Sequence, residues 1–428
     1  MRILTLSLVI ITVLTACAPT QKRSQWEYKP QNVQTAQTAP KPINEPFEST
    51  LTENQDSEDL LQPYSEQAKI DTASLPPVRV ALLVPLTGQH AKLGQSMLNA
   101  AQLALFDLGH VNYQIIPKDT QGNANNARIA ATEAIDEGAE LIIGPVFADA
   151  VRAVKPVASR ARINVLAFST DWTLAGGNTF IMGFLPFDQI ERITQYAAEK
   201  NMTRIGVFAP DNSYGKVVTN AYRNLAPRYG LQTVRSSAFN PRSRNLAPDV
   251  ETFTQSNATL ADGSPAFDAV LMPVGGQNAI TISNLLTQNG MPPSTVKRLG
   301  TGLMDDTGLA GEPGLSGAWF AAPSPNLRRA FEQKYTNIYG RKAPRLATLA
   351  YDATALSAIL AKRGLESQGR PQFDKNAIMT PNGFFGIDGI FRFRPDGTAE
   401  RGLAVLQFNR GNITVVDEAP TTFETTKF

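Results

Sequence analysis

Two adjacent hydroxyls, Ser169-Thr170, close the apolar run Asn164-Val165-Leu166-Ala167-Phe168 and are either the residues best placed for chemistry or simple caps. Hydroxyls beside the free N–H groups of a helix N-terminus bind carboxylates, and open α/β sheets collect such groups at the carboxyl ends of their strands. Comparable positions after other apolar runs hold Thr87-Gly88-Gln89 and Asp119. The first either lines a cleft or forms a bare turn before a helix. Asp119 either touches a ligand or caps a strand end. Gly275-Gly276 permits a tight strand-to-helix turn or a close approach to a ligand.

Catalysis has little to work with. There is no Gly-x-Ser-x-Gly elbow and no phosphate-loop pattern, and neither His90 nor His110 has a recognisable nucleophile partner. One cysteine and two histidines are too few for a Cys/His metal centre. No metal, cofactor or enzymatic activity is expected. A net charge of +2 over 428 residues gives no reason to expect nucleic acid as a partner.

The elements that must position these groups follow a repeating grammar. Val78 to Val84 is a nearly continuous apolar run, as in a buried parallel strand, and Met97, Leu98, Ala101, Ala104, Leu105 and Leu108 follow at helical spacing. Strands at 113–116, 141–145 and 164–168 alternate with helices at 127–137 and up to Ala161. The pattern restarts after Pro186, with strands at 204–208, 231–239 and 269–272, and the stretch 242–264 is too polar to assign. Ser324-Pro325 opens a helix closed by Gly340, and another spans Leu346 to Arg363 with Gly364 as its stop. Strands at 390–393, 404–408 and 413–416 complete the chain. The fold class is therefore α/β, with two doubly wound, Rossmann-like lobes and a cleft between them.

The N-terminal 76 residues differ. Arg2, the apolar Ile3–Val13 and Leu14-Thr15-Ala16-Cys17 read as a lipoprotein signal peptide over 1–16, with Cys17 lipidated. Each buried acyl methylene contributes about 0.8 kcal/mol to membrane anchoring. Residues 17–76 are rich in Gln, Thr, Ser, Pro and Asn and bury too little to order themselves, so they form a disordered linker. As a coil it averages about 40–45 Å end to end.

Val-Ala-Leu-Leu-Val-Pro-Leu-Thr-Gly (80–88), Lys-Asp-Thr-Gln-Gly-Asn (118–123), Leu-Ile-Ile-Gly-Pro (141–145), Ile-Gly-Val-Phe-Ala-Pro-Asp-Asn-Ser-Tyr-Gly (205–215) and Gly-Ile-Phe-Arg-Phe-Arg-Pro-Asp-Gly (389–397) resemble type I periplasmic binding proteins of the leucine-binding-protein-like branch. The resemblance covers nearly all of 77–420. It implies lobe 1 over 77–185 plus 324–368, lobe 2 over 186–323 plus 369–428, and a small, amino-acid-like ligand in the cleft. It also implies that hydroxyls following the third strand hold a ligand carboxylate, yet this chain has Val146-Phe147-Ala148 there. Tyr214 matches a family tyrosine, and Asp305 or Asp306 falls where an acid meets the ligand amine.

Two branches of the family fit. One comprises outer-membrane lipoproteins that activate penicillin-binding proteins, the peptidoglycan synthases, and open with a similar Leu-Pro-Leu-x-Gly-Gln. The other comprises substrate-binding components of amino-acid ABC transporters. Ala18 after Cys17 resembles the outer-membrane sorting pattern of Gram-negative lipoproteins. That anchor and the absent hydroxyls favour a regulator on the periplasmic side of the outer membrane, with amino-acid uptake as the alternative.

Overall fold

The computed structural model describes residues 70–109, 112–255 and 266–423. The signal peptide, Cys17, most of the linker and His110 lie outside them. Within the linker's last residues, Thr72–Ser74 form a 3-10 turn, and the Asn112 amide donates to the carbonyls of Thr72 and Leu75.

β1 (Val78–Val84) is buried at every residue but Arg79, because it is an interior strand with parallel partners on both sides, β2 (Tyr113–Asp119) and β3 (Leu141–Ile143). With β4 (Asn164–Ala167) and β5 (Thr179–Ile181) the order is β2-β1-β3-β4-β5. Helix α1 (Ala91–Leu108) covers one face through Met97, Ala100 and Leu103. Helices α2 (Ala124–Asp136) and α3 (Ala148–Ala161) cover the other through Ala127, Ala131, Val151 and Val154. Full burial of each large aliphatic side chain is worth about 1.5–3 kcal/mol, so two-sided coverage holds β1 in place.

The second half repeats this arrangement. Helix α4 (Pro186–Glu199) leads to β6 (Arg204–Pro210), α5 (Ser213–Leu225) and β7 (Gln232–Phe239). Then come α6 (Ala247–Thr254), β8 (Ala269–Leu271), α7 (Gly276–Gln288), β9 (Lys297–Gly300) and β10 (Trp319–Ala322). Helix α6 lies in the stretch left unassigned from sequence, and Val250 and Phe253 bury it against α7. Arg298 is fully buried without a carboxylate partner among the described residues, and its guanidinium donates to the carbonyls of Val296, Ser283 and Met291.

The chain then returns to the first half. Phe331 and Tyr335 of α8 (Pro325–Tyr339) and Leu349, Ala353 and Leu356 of α9 (Ala347–Gln368) join the core around β1. Next follow α10 (Lys375–Ile378) and a small antiparallel sheet of β11 (Phe384–Gly386), β12 (Gly389–Phe393) and β13 (Ala399–Arg401). The family resemblance implies lobe 2 for these elements, yet Phe373, Ile378, Phe391, Phe393 and Ala399 pack in the first core. Phe393 meets Phe180 edge-on at 5.3 Å, and the Ile181 N–H donates to the Gly397 carbonyl at 2.8 Å. A strand's alternation shows that one face is buried but not which core receives it. Only β14 (Ala404–Asn409) and β15 (Asn412–Asp417) join the second sheet, ordered β15-β14-β10-β9-β8-β6-β7.

Helix α9 also runs past its expected stop. Gly364 is a buried interior position, and Gly369 in the left-handed region caps the helix. A β-carbon at 364 would stand 2.3 Å from the Arg370 carbonyl oxygen and 2.5 Å from the Gln372 nitrogen. Alanine normally gains about 1 kcal/mol over glycine inside a helix. Overpacking against an immobile backbone costs about 1–3 kcal/mol. Gly364→Ala should therefore lose up to about 2 kcal/mol in urea unfolding; a gain in stability would show that 370–372 moves aside freely.

Candidate functional site

The strand ends of the first sheet are largely occupied by one another. Asp119, at the end of β2, accepts from the N–H groups of Leu86 (2.8 Å), Thr87 (3.2 Å) and Gln121 (2.8 Å) and from the Thr87 hydroxyl (2.5 Å). Partial burial opposes its charge, but these donors hold its carboxyl below the usual range. Asp119 and Thr87 thus fasten the β1 loop, while Gly88 and Gln89 stand exposed beside it. After β3, Val146 is buried, and half-buried Phe147 lies against His90 with ring centroids 4.6 Å apart. A ring pair therefore stands where the family resemblance implies carboxylate-binding hydroxyls, with His90 as one of its partners.

Ser169 and Thr170 part company. Ser169 is buried, and its Oγ accepts from the Asp171 N–H at 3.0 Å, which locks the turn. Thr170 faces a cavity of about 750 Å³ between the two halves. Tyr214, in the first turn of α5, lines the same cavity. Its hydroxyl shares a 2.8 Å hydrogen bond with Thr301 Oγ1, and burial pushes its pKa up to about 12. Gly275 is set back: a β-carbon there would meet the Leu303 carbonyl oxygen at 2.1 Å, so its small size serves protein packing. Gly276 follows in the first turn of α7.

Asp305 also lines the cavity, but its carboxylate is already taken. Arg328 of α8 grips it with both Nη atoms, Nη2 reaching Oδ1 at 3.0 Å, and Arg345 Nε lies 3.6 Å from Oδ2. The Asp305 side chain is 4 % exposed. Burial opposes the charge on Arg328, yet the contact with Asp305 raises its pKa. Asp305 follows β9 in the second half, and both arginines belong to segments packed on the first, so this ion pair bridges the lobes. Asp306 instead accepts from the Gly308 N–H at 2.9 Å.

Of the twelve cleft residues expected from sequence, Thr170, Tyr214 and Asp305 line the cavity and the other nine do not. Sequence reasoning missed the rest of its wall, including Trp172, Phe184, Pro186, Val217, Leu303, Pro323 and Arg345. Phe184–Pro186 and Ala322-Pro323 are points where the chain passes between lobes, and their prolines were the available signal.

A buried polar cluster lies behind the cavity. Arg345 Nη2 is 2.9 Å from Asp388 Oδ1, the Thr348 hydroxyl donates to Asp388 Oδ2 at 2.6 Å, and the Arg345 guanidinium lies 4.2 Å from the Phe184 ring centroid. Asp352 accepts from the Ile387 N–H at 2.7 Å, while its Oδ2 has no hydrogen-bond partner among the described residues. Burial, then the Asp388 charge, raises the Asp352 pKa. Burial also opposes ionisation of Asp388, but Arg345, Arg401 and Thr348 lower its pKa. Arg401 donates to the Met182 carbonyl at 2.8 Å, tying the third passage between lobes to the first. Asp188 of α4 accepts from Arg394 at 2.6 Å and from the Arg401 N–H at 3.0 Å, making a second link across the halves.

Two doubly wound halves, three passages and an intervening cavity are the architecture of the two-lobed periplasmic class. A family model described as "Periplasmic binding protein" matches residues 77–412, and the chain belongs to that family. Its fold is that of a putative branched-chain amino acid ABC transporter protein from Rhodospirillum rubrum, with a TM-score of 0.71 and 19% identity over 79% of this chain and 100% of that one. A solute binding protein of an ABC transporter from Rhodopseudomonas palustris BisB5, solved with 3,4-dihydroxy benzoic acid, superposes with a TM-score of 0.59 at 19% identity, covering 81% and 97%. Among curated proteins, the penicillin-binding protein activator LpoA of Vibrio vulnificus (strain YJ016) is 23% identical over 198 residues, 45% of this chain. The aligned stretch spans 33% of that relative's length.

Two outcomes follow from the charges. Asp305→Ala strands two cations against the cavity, and breaking a buried pair costs about 3–5 kcal/mol. Because the Arg328 side chain keeps 12 % exposure, we expect a loss near the lower end, about 3 kcal/mol in urea unfolding at pH 7; a loss below about 1 kcal/mol would mark the bridge as no stronger than a surface pair. For Asp352, a raised folded-state pKa means that its stabilising contribution is full below the unfolded value of about 3.9 and fades as pH rises through the folded value. The stability of the native chain relative to Asp352→Asn should therefore fall between about pH 4 and neutrality; parallel pH profiles would refute the assignment.

Proposed function

We propose that this chain is a non-enzymatic periplasmic lipoprotein that regulates peptidoglycan synthesis in the manner of a penicillin-binding protein activator, anchored through Cys17 at the outer membrane. The observation that carries this reading is the engagement of Asp305 by Arg328 and Arg345. A zwitterionic amino acid needs an acid for its ammonium group and donors for its carboxylate. The acid is already neutralised by protein, and Val146 and Phe147 replace the expected hydroxyls. Hydrogen bonds to charged groups are each worth about 1.5–3 kcal/mol, so loss of both anchors removes most selectivity for an amino acid. The partial similarity to the Vibrio activator supports the same reading. An outer-membrane anchor also suits a regulator better than a carrier that must reach an inner-membrane permease.

Uptake of a small solute is the second reading, favoured by the 750 Å³ cavity and by the binding-protein fold. Purified full-length lipoprotein, titrated into a peptidoglycan synthase of the same species, should bind it and raise the rate of glycan polymerisation or cross-linking. Calorimetry of the same preparation with isoleucine should give no heat of binding. Micromolar isoleucine binding that Thr170→Ala weakens, with no effect on any synthase, would establish the uptake reading instead.

A further inference from the structure

The cavity between the lobes survives although the charged anchors at its edge are neutralised, which raises the question of what it accepts. Its volume of about 750 Å³ falls in the upper part of the range of about 300–1,000 Å³ found for drug-sized ligands. Trp172, Phe184, Pro186, Val217, Leu303 and Pro323 give it an apolar wall. Each charged group on the lining has a protein partner. Asp305 holds Arg328, Arg345 is paired with Asp388, and Asp171 accepts from the Thr173 N–H at 3.1 Å and hydroxyl at 2.5 Å and pairs with Arg152 at 3.5 Å. Gln189 is engaged at both ends, donating to the Leu185 carbonyl at 2.9 Å and accepting from the Gly302 N–H at 2.8 Å. The hydroxyls of Thr170 and Ser213, by contrast, have no hydrogen-bond partner among the described residues.

We infer that this cavity takes an uncharged, mainly apolar ligand larger than an amino acid, oriented by a hydroxyl or carbonyl group that meets Thr170 and Ser213. A carboxylate or ammonium group entering here would lose its hydration and find every opposite charge already paired, so charged ligands are disfavoured. An apolar ligand has no such cost and gains from covering Trp172, Val217 and Leu303, the last of which is 50 % exposed. This ligand class lies outside the regulatory reading: synthase stimulation tests that reading, and ligand selectivity tests this one.

The test is a fluorescence titration of the full chain with Nile red, a neutral, apolar, environment-sensitive dye. We expect saturable binding of one dye per chain, displaced by benzophenone, a neutral ketone larger than an amino acid such as isoleucine, but not by millimolar isoleucine or benzoate. Val217→Trp and Ser213→Trp, which fill the cavity and its mouth, should weaken binding by about tenfold or more. Ser213 is exposed in the first turn of α5, so its variant keeps the test decisive should Val217→Trp fail to fold. The outer surface also carries apolar residues, with Phe106 77 % and Phe385 66 % exposed, and Phe106→Ser/Phe385→Ser should leave dye binding unchanged. Displacement by isoleucine or benzoate would overturn the inference. So would the absence of saturable binding, dye affinity indifferent to Ser213→Trp, or loss of binding in the Phe106/Phe385 variant.

Discussion

The ion pair of Asp305 with Arg328 and Arg345 is the contact on which the site's character turns. It joins the loop after the second sheet's β9 to segments packed on the first sheet, with the carboxylate almost wholly out of water. A charge so placed must be matched within the protein, because an unmatched one costs several kcal/mol. In a ligand-closed binding protein, a bound molecule touching both lobes can bridge them. Here a carboxylate and two guanidinium groups already form a bridge, so the contact between halves does not wait for a ligand. The Asp188–Arg394 pair reinforces it from α4.

Given that bridge, the chemistry of the cavity follows. The acid that a ligand amine would seek is saturated, and the arginine that a ligand carboxylate would seek is held by Asp388. What remains is apolar wall with two hydroxyls. On the first sheet, the Phe147–His90 ring pair and the Asp119–Thr87 clasp likewise show strand ends satisfied by neighbouring side chains. The family's architecture is retained, while these side chains are engaged by protein partners.

The buried cluster of Asp352, Asp388, Arg345 and Arg401 sits where the passages between lobes converge. Arg345 belongs both to this cluster and to the cavity wall, and Arg401 ties the passage at 401–403 to that at 182–186. Two aspartates side by side in the interior cannot both ionise without strong repulsion, so Arg345 and Arg401 favour the charge on Asp388 and leave Asp352 toward its neutral form. The electrostatic state of the passages is thus coupled to the wall of the cavity through one side chain.

By itself the sequence determined the repeated strand–helix units, because buried parallel strands read as apolar runs and their helices as 3.6-residue periods. It also determined the family, through the order of its motifs, and pointed to Thr170, Tyr214 and Asp305 at the cavity. Only the tertiary structure decided which core receives residues 373–399, since a period of two marks a buried face without naming its partner. It alone decided that Ser169 turns inward while Thr170 faces the cleft, because neighbouring hydroxyls look alike until a backbone N–H claims one. The fate of Asp305 is the sharpest case. Arg328 and Arg345 lie more than twenty residues away in sequence, and no local pattern reveals which distant charges will meet when two lobes are brought together.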